Sequence, residues 1–436
     1  MVSVNPRQVA IETLSRNAKK TGYIEEILNQ RLDRVFLSGK DRALARELTL
    51  GVCRWRLTLE WLATRKLHRK PPEDILNVII LGLYQMYWMD RIPLHAVVFE
   101  TVKLLDNPYF KNSSNGGYKK LVNAILRSYG RELEETHIVL RELRQKNPAL
   151  ACSHPSWIYD RWKRHLGADN ALKLMDWNNT IPQPILRTNT LKIKDRETLL
   201  SQLIQNEIDV HSTDVDFLNE QLMLDVSVHV APSRLVGYKE GAFYIQDPAT
   251  LLSVQILDPQ PGDIVLDHCA APGGKTTYIA QKMRNQGKIV AVDISERLHL
   301  ISENCDRLGV NIVETIPARK FEEKTPVLKF DKILLDVPCS NTGVFRRRVE
   351  ARYRLNLQEL ELLKKTQAML LEHASHCLKV GGRLVYSTCS IDEEENGQQI
   401  DLFLDKHAEF QLETKKLILP YVTGTDGAFV ASLIKK

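Results

Sequence analysis

From about residue 249 onward, the 436-residue chain alternates short apolar strands with amphipathic helical stretches. The strand candidates are 264–267, 288–293, 311–315, 331–336 and 383–388. Helical periodicity fills the gaps at 274–285, 296–308, 357–379 and 392–406. Apolar strands joined by helical crossovers predict a parallel, doubly wound α/β sheet of Rossmann-like type. Ligands of such sheets lie beyond the carboxyl ends of the strands. Three of these strands end in aspartate, at Asp267, Asp293 and Asp336. A catalytic domain over 249–436 is the expectation.

Upstream the pattern changes twice. Residues 151–248 mix two short helices with alternating strands, which predicts a small α/β module. Residues 1–150 read as helix after helix, broken by the turn chemistry of 107–118 (NPYFKNSSNGGY). The charge is divided just as unevenly. The first 150 residues hold 25 basic and 16 acidic side chains, while the remainder holds 35 and 38. A basic helical third, with Lys19, Lys20, Lys119, Lys120 and Arg127 among its charges, points to a polyanion, RNA or DNA first. The start, MVSVNPRQVA, has no basic segment followed by an apolar run, and no run approaches the ~20 residues that span a bilayer. Seven cysteines without a CxxC pair argue against zinc and redox motifs and predict reduced thiols in the cytosol.

The chemistry concentrates at the strand ends. The first strand enters Asp267-His268-Cys269-Ala270-Ala271-Pro272-Gly273-Gly274-Lys275-Thr276, a loop of small residues opening a helix. Such a loop lets backbone approach a ligand closely. The leading glycine of a P-loop would fall at Cys269, so a nucleoside triphosphatase fails on spacing. Asp293, ending the next strand, is placed for a ribose diol, a pattern shared by dinucleotide and S-adenosylmethionine sites. Two further ends carry thiols: Asp336-Val337-Pro338-Cys339-Ser340 and Ser387-Thr388-Cys389-Ser390. A lone cysteine is most often a small buried hydrophobe. Two at corresponding strand ends, beside a carboxylate, suggest nucleophilic chemistry.

DHCAAPGGKT, DVPCSNTG and YSTCSIDEEEN resemble the signature motifs of the RNA cytosine-C5 methyltransferases. HPSWIYDRW, PILRTNTLK, GAFYIQDPAT and DGAFVASL extend the likeness along the chain. HAVVFETVKL and GYKKLVNAILR resemble an RNA-binding domain related to the antitermination factor NusB. The resemblance implies an S-adenosylmethionine-dependent enzyme acting on 16S ribosomal RNA, with Cys389 as nucleophile, Cys339 assisting proton loss and release, and Asp336 on the pyrimidine edge. It implies that Cys269, Ala270, Ala271, Pro272, Gly273, Gly274 and Lys275 surround the methionine part of the cofactor, with Asp293 on its ribose and Asp336 also lining the site.

Cys389 is assigned as nucleophile by the resemblance; residue chemistry alone favours Cys339, because in DNA cytosine methyltransferases the Pro-Cys thiol attacks. Where the family usually carries an acid near adenine, this chain has Pro317, which leaves backbone or a neighbour such as Glu314. The arginines of VFRRRVEARYR, among them Arg346, Arg347, Arg348 and Arg352, suit phosphate contact. Asp392-Glu393-Glu394-Glu395 is read as the first turn of a helix, where acids complement the dipole. No metal and no membrane partner is expected, and the chain is expected to act as a monomer. Transfer RNA as substrate and a catalytically silent RNA-binding assembly factor remain as alternatives.

Overall fold

The computed structural model describes residues 4–17, 23–110, 117–227, 232–324 and 329–436. Lys19, Lys20 and the middle of the 107–118 turn lie outside the described residues. The chain forms two compact units, one of Met1–Thr180 with Arg346–Arg354 and the other of Ile181–Phe345 with Leu355–Lys436.

The first unit is helical. Its central helix, Glu73–Trp88, is buried at every position from Ile75 to Gln85. A helix apolar on all sides must be surrounded. Helices Pro6–Asn17, Gly39–Arg54, Arg56–Arg65, Leu94–Lys103 and Gly117–Arg131 pack around it. Close approach is set by two glycines: a Cβ on Gly82 would lie 2.7 Å from Leu126, and one on Gly51 would overlap the Tyr84 ring. The unit extends beyond the expected border at 150, since helices Ser156–Leu166 and Ala168–Asn178 belong to it. It also takes in Val349 and Tyr353, which join its apolar core.

The second unit contains both sheets. Strands β1 (Ile185–Thr188), β2 (Asp209–Thr213), β3 (Met223–Ser227) and β4 (Phe243–Ile245) form an antiparallel sheet in the order β2-β3-β1-β4. The large sheet has seven strands: β5 (Ile264–His268), β6 (Lys288–Asp293), β7 (Val313–Pro317), β8 (Phe330–Asp336), β9 (Leu378–Thr388), β10 (Phe410–Ile418) and β11 (Ala428–Lys435). Their order is β10-β11-β9-β8-β5-β6-β7. The five predicted strands are parallel, as expected. The last two were not expected and run antiparallel at one edge, so the sheet is mixed.

Successive residues of the central strands feed opposite faces, as the pleat requires. Val265, Ile289, Leu334 and Val385 pack with helices Leu251–Leu257, Gly274–Lys282 and Leu298–Leu308. Leu266, Val290, Ile333 and Leu384 pack with Leu357–Cys377 and Gly397–Leu404. Each such side chain, fully buried, contributes about 1.5–3 kcal/mol. Two covered faces leave the carboxyl-terminal edge of the sheet as the place where polar groups gather.

Candidate active site

Four adjacent strands, β9, β8, β5 and β6, deliver the predicted groups side by side. Parallel register places Asp336 beside Ser387 and His268 beside Leu335. Cys339 follows β8 by three residues, and Cys389 follows β9 directly. Their Sγ atoms are 3.1 Å apart. Spacing and topology therefore bring together what the sequence only suggested. Cys389 also donates to Asn341 Oδ1 at 3.3 Å. The loops meet closely because Gly343 has no side chain: a Cβ there would lie 2.7 Å from Cys389 O and 2.8 Å from Gly427 Cα.

The two thiols are not equivalent. Cys339 is buried and its pKa is pushed well above the ordinary thiol value, first by the hydrogen bond to Cys389, then by burial and by the nearby charges of Cys389 and Glu395. Cys389 is half-buried. A close pair of this kind shares its protons, and the geometry favours Cys339 as the sulfur that keeps one. Lys275 Nζ lies 2.6 Å from Asp336 Oδ2. Burial works against its ammonium, yet Asp336 and Cys389 raise its pKa above the usual lysine value.

The glycine loop is tightly held. Cys269 adopts φ 64°, unusual for a residue with a Cβ, and Gly273 adopts φ 99°. Ala270 N donates to Val292 O at 3.0 Å, and Gly273 N to Ala270 O at 2.8 Å. Asp293 Oδ2 accepts from Ala271 N and its Oδ1 from Ile294 N, each at 2.8 Å. Arg297 donates to Ala271 O at 2.8 Å, so it braces the loop. From the small sheet, fully buried Arg187 donates to Gly274 O at 2.8 Å and to Thr277 Oγ1 at 3.1 Å. Its guanidinium lies against the Tyr244 and Tyr278 rings, and burial lowers its pKa to about 10. Arg187 lies within the family-like stretch PILRTNTLK, but no local pattern gave it this role, because its targets are 87 and 90 residues away.

Asp267, Asp293 and Asp336 surround this loop; Lys275 pairs with Asp336 and Arg297 with Asp293 at 3.7 Å, which leaves Asp267 without an ion pair among the described residues. Asp267 is completely buried. Its Oδ2 accepts from Thr276 Oγ1 at 2.6 Å and its Oδ1 has no partner. Burial pushes its carboxyl up to about 7, against the Thr276 hydroxyl and with repulsion from Asp336. An orphaned carboxylate oxygen in an acid-rich cleft fits a ligand bearing positive charge. S-adenosylmethionine, with its sulfonium and ammonium, is such a ligand. Each oxygen of Asp293 keeps a second lone pair for a ribose hydroxyl.

Other expectations fall elsewhere. Glu314 is exposed and pairs with Lys288 Nζ at 2.7 Å. Lys288 begins β6, so Glu314 sits at the wrong end of the sheet to read adenine. The arginine segment belongs to the helical unit. Arg352 is fully buried and donates to Asn179 Oδ1 at 2.8 Å and Asn178 O at 3.1 Å. Buried Arg346 lies 4.2 Å over the Trp177 ring, and half-buried Arg348 4.0 Å over Tyr23. Arg347 is half-buried and also engaged. Arg346 and Arg352 thus serve the fold in this structure rather than forming a phosphate-contacting face. The acidic run is displaced too: the helix begins at Gly397, and Glu395 turns into the interior.

Sheet order, glycine loop, acids and paired thiols define a S-adenosylmethionine-dependent methyltransferase. Residues 254–433 match the family described as 16S rRNA methyltransferase RsmB/F, residues 4–131 the NusB family, and residues 154–231 the ferredoxin-like domain of RsmF/B-like methyltransferases. A probable ribosomal RNA small subunit methyltransferase B of Bacillus subtilis is 31% identical over all of both chains. The ribosomal RNA small subunit methyltransferase B of Pectobacterium carotovorum is 36% identical over 92% of each. A methyltransferase homolog protein from Pyrococcus horikoshii is 30% identical, with a TM-score of 0.58 over 66% of this chain and 97% of that one. The solved structure of PH0851, at 24% identity, shares the fold over the full length of both chains with a TM-score of 0.81. The chain belongs to the RsmB/F family of 16S rRNA methyltransferases.

Proposed function

We propose that this protein methylates carbon 5 of a cytosine in 16S ribosomal RNA through a covalent adduct between Cys389 and C6 of the base. The observation that carries the reading is the pair of thiols 3.1 Å apart at the ends of adjacent parallel strands, with a lysine-paired aspartate on the first of them. When bound, S-adenosylmethionine supplies the methyl group from its sulfonium.

Carbon 5 is a poor nucleophile until a thiolate adds to C6 and makes the ring enamine-like. Cys389 gives its proton to water on forming the attacking thiolate, while Cys339 keeps its own and points it at Cys389 Sγ as a hydrogen bond. Asp336, fixed by Lys275, faces the pyrimidine edge and stabilises the proton on N3 during addition. Once Cys389 is bonded to carbon, the partner that held the Cys339 proton has become a neutral thioether. With no charged sulfur beside it, Cys339 gives its thiol proton to water; the resulting thiolate takes the C5 proton, and the C6–S bond breaks to restore the aromatic ring and the Cys389 thiolate. The base must be unpaired or flipped out of a helix to reach this edge.

The test is methyl transfer from labelled S-adenosylmethionine to undermodified 16S ribosomal RNA and to bulk transfer RNA, with the product located by bisulfite sequencing. A 5-methylcytosine in ribosomal RNA alone supports the reading. Label confined to transfer RNA overturns the substrate, and no label in either overturns the activity. Cys339→Ala is expected to accumulate a covalent RNA adduct and Cys389→Ala to form none; the reverse pattern exchanges their roles.

A further inference from the structure

Glu395 takes no part in this chemistry, yet its carboxylate accepts four hydrogen bonds beside the thiols. It is fully buried. Its Oε1 accepts from Ser340 N and from Gln367 Nε2, each at 2.9 Å. Its Oε2 accepts from Ser390 Oγ at 2.6 Å and from Ser340 Oγ. Ser340 follows Cys339, and Ser390 follows Cys389. One carboxylate therefore holds the residues next to both thiols, on loops about 50 positions apart in sequence.

The surroundings extend the same clamp. Gln367 also donates to Pro338 O at 3.0 Å, so the residue before Cys339 is held as well. Thr342 Oγ1 and Ser390 Oγ are 3.0 Å apart, and Thr342 accepts from Ile391 N at 3.1 Å. Tyr386 donates to Glu395 O at 2.6 Å, which fixes the backbone that carries the carboxylate. Four donors and no required acceptor suit a carboxylate and leave an amide or an acid with a misplaced hydrogen.

We infer that Glu395 is a positioning residue for the thiol pair, its buried carboxylate tying the Cys339 and Cys389 loops together so that the two sulfurs meet. This rests on the reading of those thiols given under Proposed function. The carboxylate also has an electrostatic effect. Its negative charge lies on the Cys339 side, where it joins Cys389 and burial in keeping that thiol protonated. The carboxylate thereby treats the buried Cys339 differently from the half-buried Cys389. A clamp made of neutral groups would hold the geometry without sorting the two thiols in this way.

The test compares Glu395→Gln with the parent protein. The two thiols are alkylated by iodoacetamide over pH 6–10 and located by peptide mass spectrometry, while methyl transfer to ribosomal RNA is measured in parallel. The amide is nearly isosteric but brings an N–H₂ where Oε1 or Oε2 accepts. Expected are a loss of turnover of about 10–100-fold, the scale of a small misplacement at a reacting centre, and a Cys339 alkylation profile moved to lower pH. Parent-like turnover together with a parent-like alkylation profile overturns the inference. Alkylation requires no RNA, so a protein without the proposed activity still reports on the clamp. Should the amide variant not fold, Ser340→Ala and Ser390→Ala each remove one hydroxyl and keep the charge. Both must lower turnover or disturb the order in which the thiols alkylate, and unchanged behaviour in both overturns the inference.

Discussion

Two stretches of this chain look equally functional in sequence and end in opposite conditions. The motif loops after β5, β8 and β9 gather their reactive groups at one edge of a sheet, with one carboxylate oxygen lacking a partner and two thiols in contact. The arginine run directly after the β8 loop is consumed by the fold: Arg352 is fully buried on Asn178 and Asn179, and buried Glu350 accepts from Ile24 N at 2.9 Å. Topology explains the contrast. A parallel sheet forces successive strand ends to converge, so residue type plus position suffices to place a site. A run of charge has no such constraint, and it reads the same whether water or protein receives it.

Four variants sharpen or break this contrast. Cys389→Ala has the largest expected effect, abolishing methyl transfer in the labelled assay while thermal unfolding stays within a few degrees of the parent. Substantial residual transfer would place the nucleophile elsewhere. Arg352→Ala is expected to cost about 2–4 kcal/mol in denaturant unfolding, because it leaves a cavity and two unpaired acceptors. An unchanged midpoint with weakened RNA binding would return Arg352 to the role its sequence suggested.

A smaller effect belongs to Asp267. Its carboxyl titrates near 7 when folded against roughly 4 in an unfolded chain, so the folded protein binds more protons between those values. The stability contributed by this group therefore falls as pH rises from about 4 to 7. A cationic ligand prefers the ionised form, and cofactor affinity is expected to rise about tenfold from pH 6 to pH 8. Calorimetric titration at both values checks this, and Asp267→Asn is expected to flatten the dependence. A flat profile in the parent would remove Asp267 from the cofactor site.

The smallest effect tests the basic helical third. Lys120 and Arg127 are exposed on one face of helix Gly117–Arg131, about two turns apart. Replacing both by glutamate is expected to weaken RNA binding and reduce its salt slope by about two, with cofactor affinity unchanged. The same slope in the variant would move the RNA surface off that helix.

How much of this was legible follows the same physics. The five parallel strands announced themselves as apolar runs ending in aspartate. Strand β10 did not, because it alternates exposed and half-buried residues and carries two adjacent lysines, Lys415 and Lys416. Strand β11 is apolar, but its antiparallel place beside β9 depends on a chain reversal that no local pattern dictates. Within the site, the cysteines, the loop and Asp336 were readable as motifs. Glu395 was not, since an acid that faces inward and one that caps a helix share the same letters. Arg187 was equally hidden, because Gly274 and Thr277, which it bonds, lie on helix Gly274–Lys282, far along the chain.

The nine residues Arg346–Arg354 also bear on how the molecule is made. The helical unit is encoded mostly by Met1–Thr180, but Val349 in its core and the Glu350 acceptor for Ile24 N are encoded much later. At 5–20 residues per second, synthesis reaches this segment roughly 10–30 s after Thr180. Until then the first-made unit lacks part of its interior. Completion of the N-terminal unit therefore waits on the ribosome finishing β8 and the Cys339 loop, and the two units cannot mature strictly one after the other.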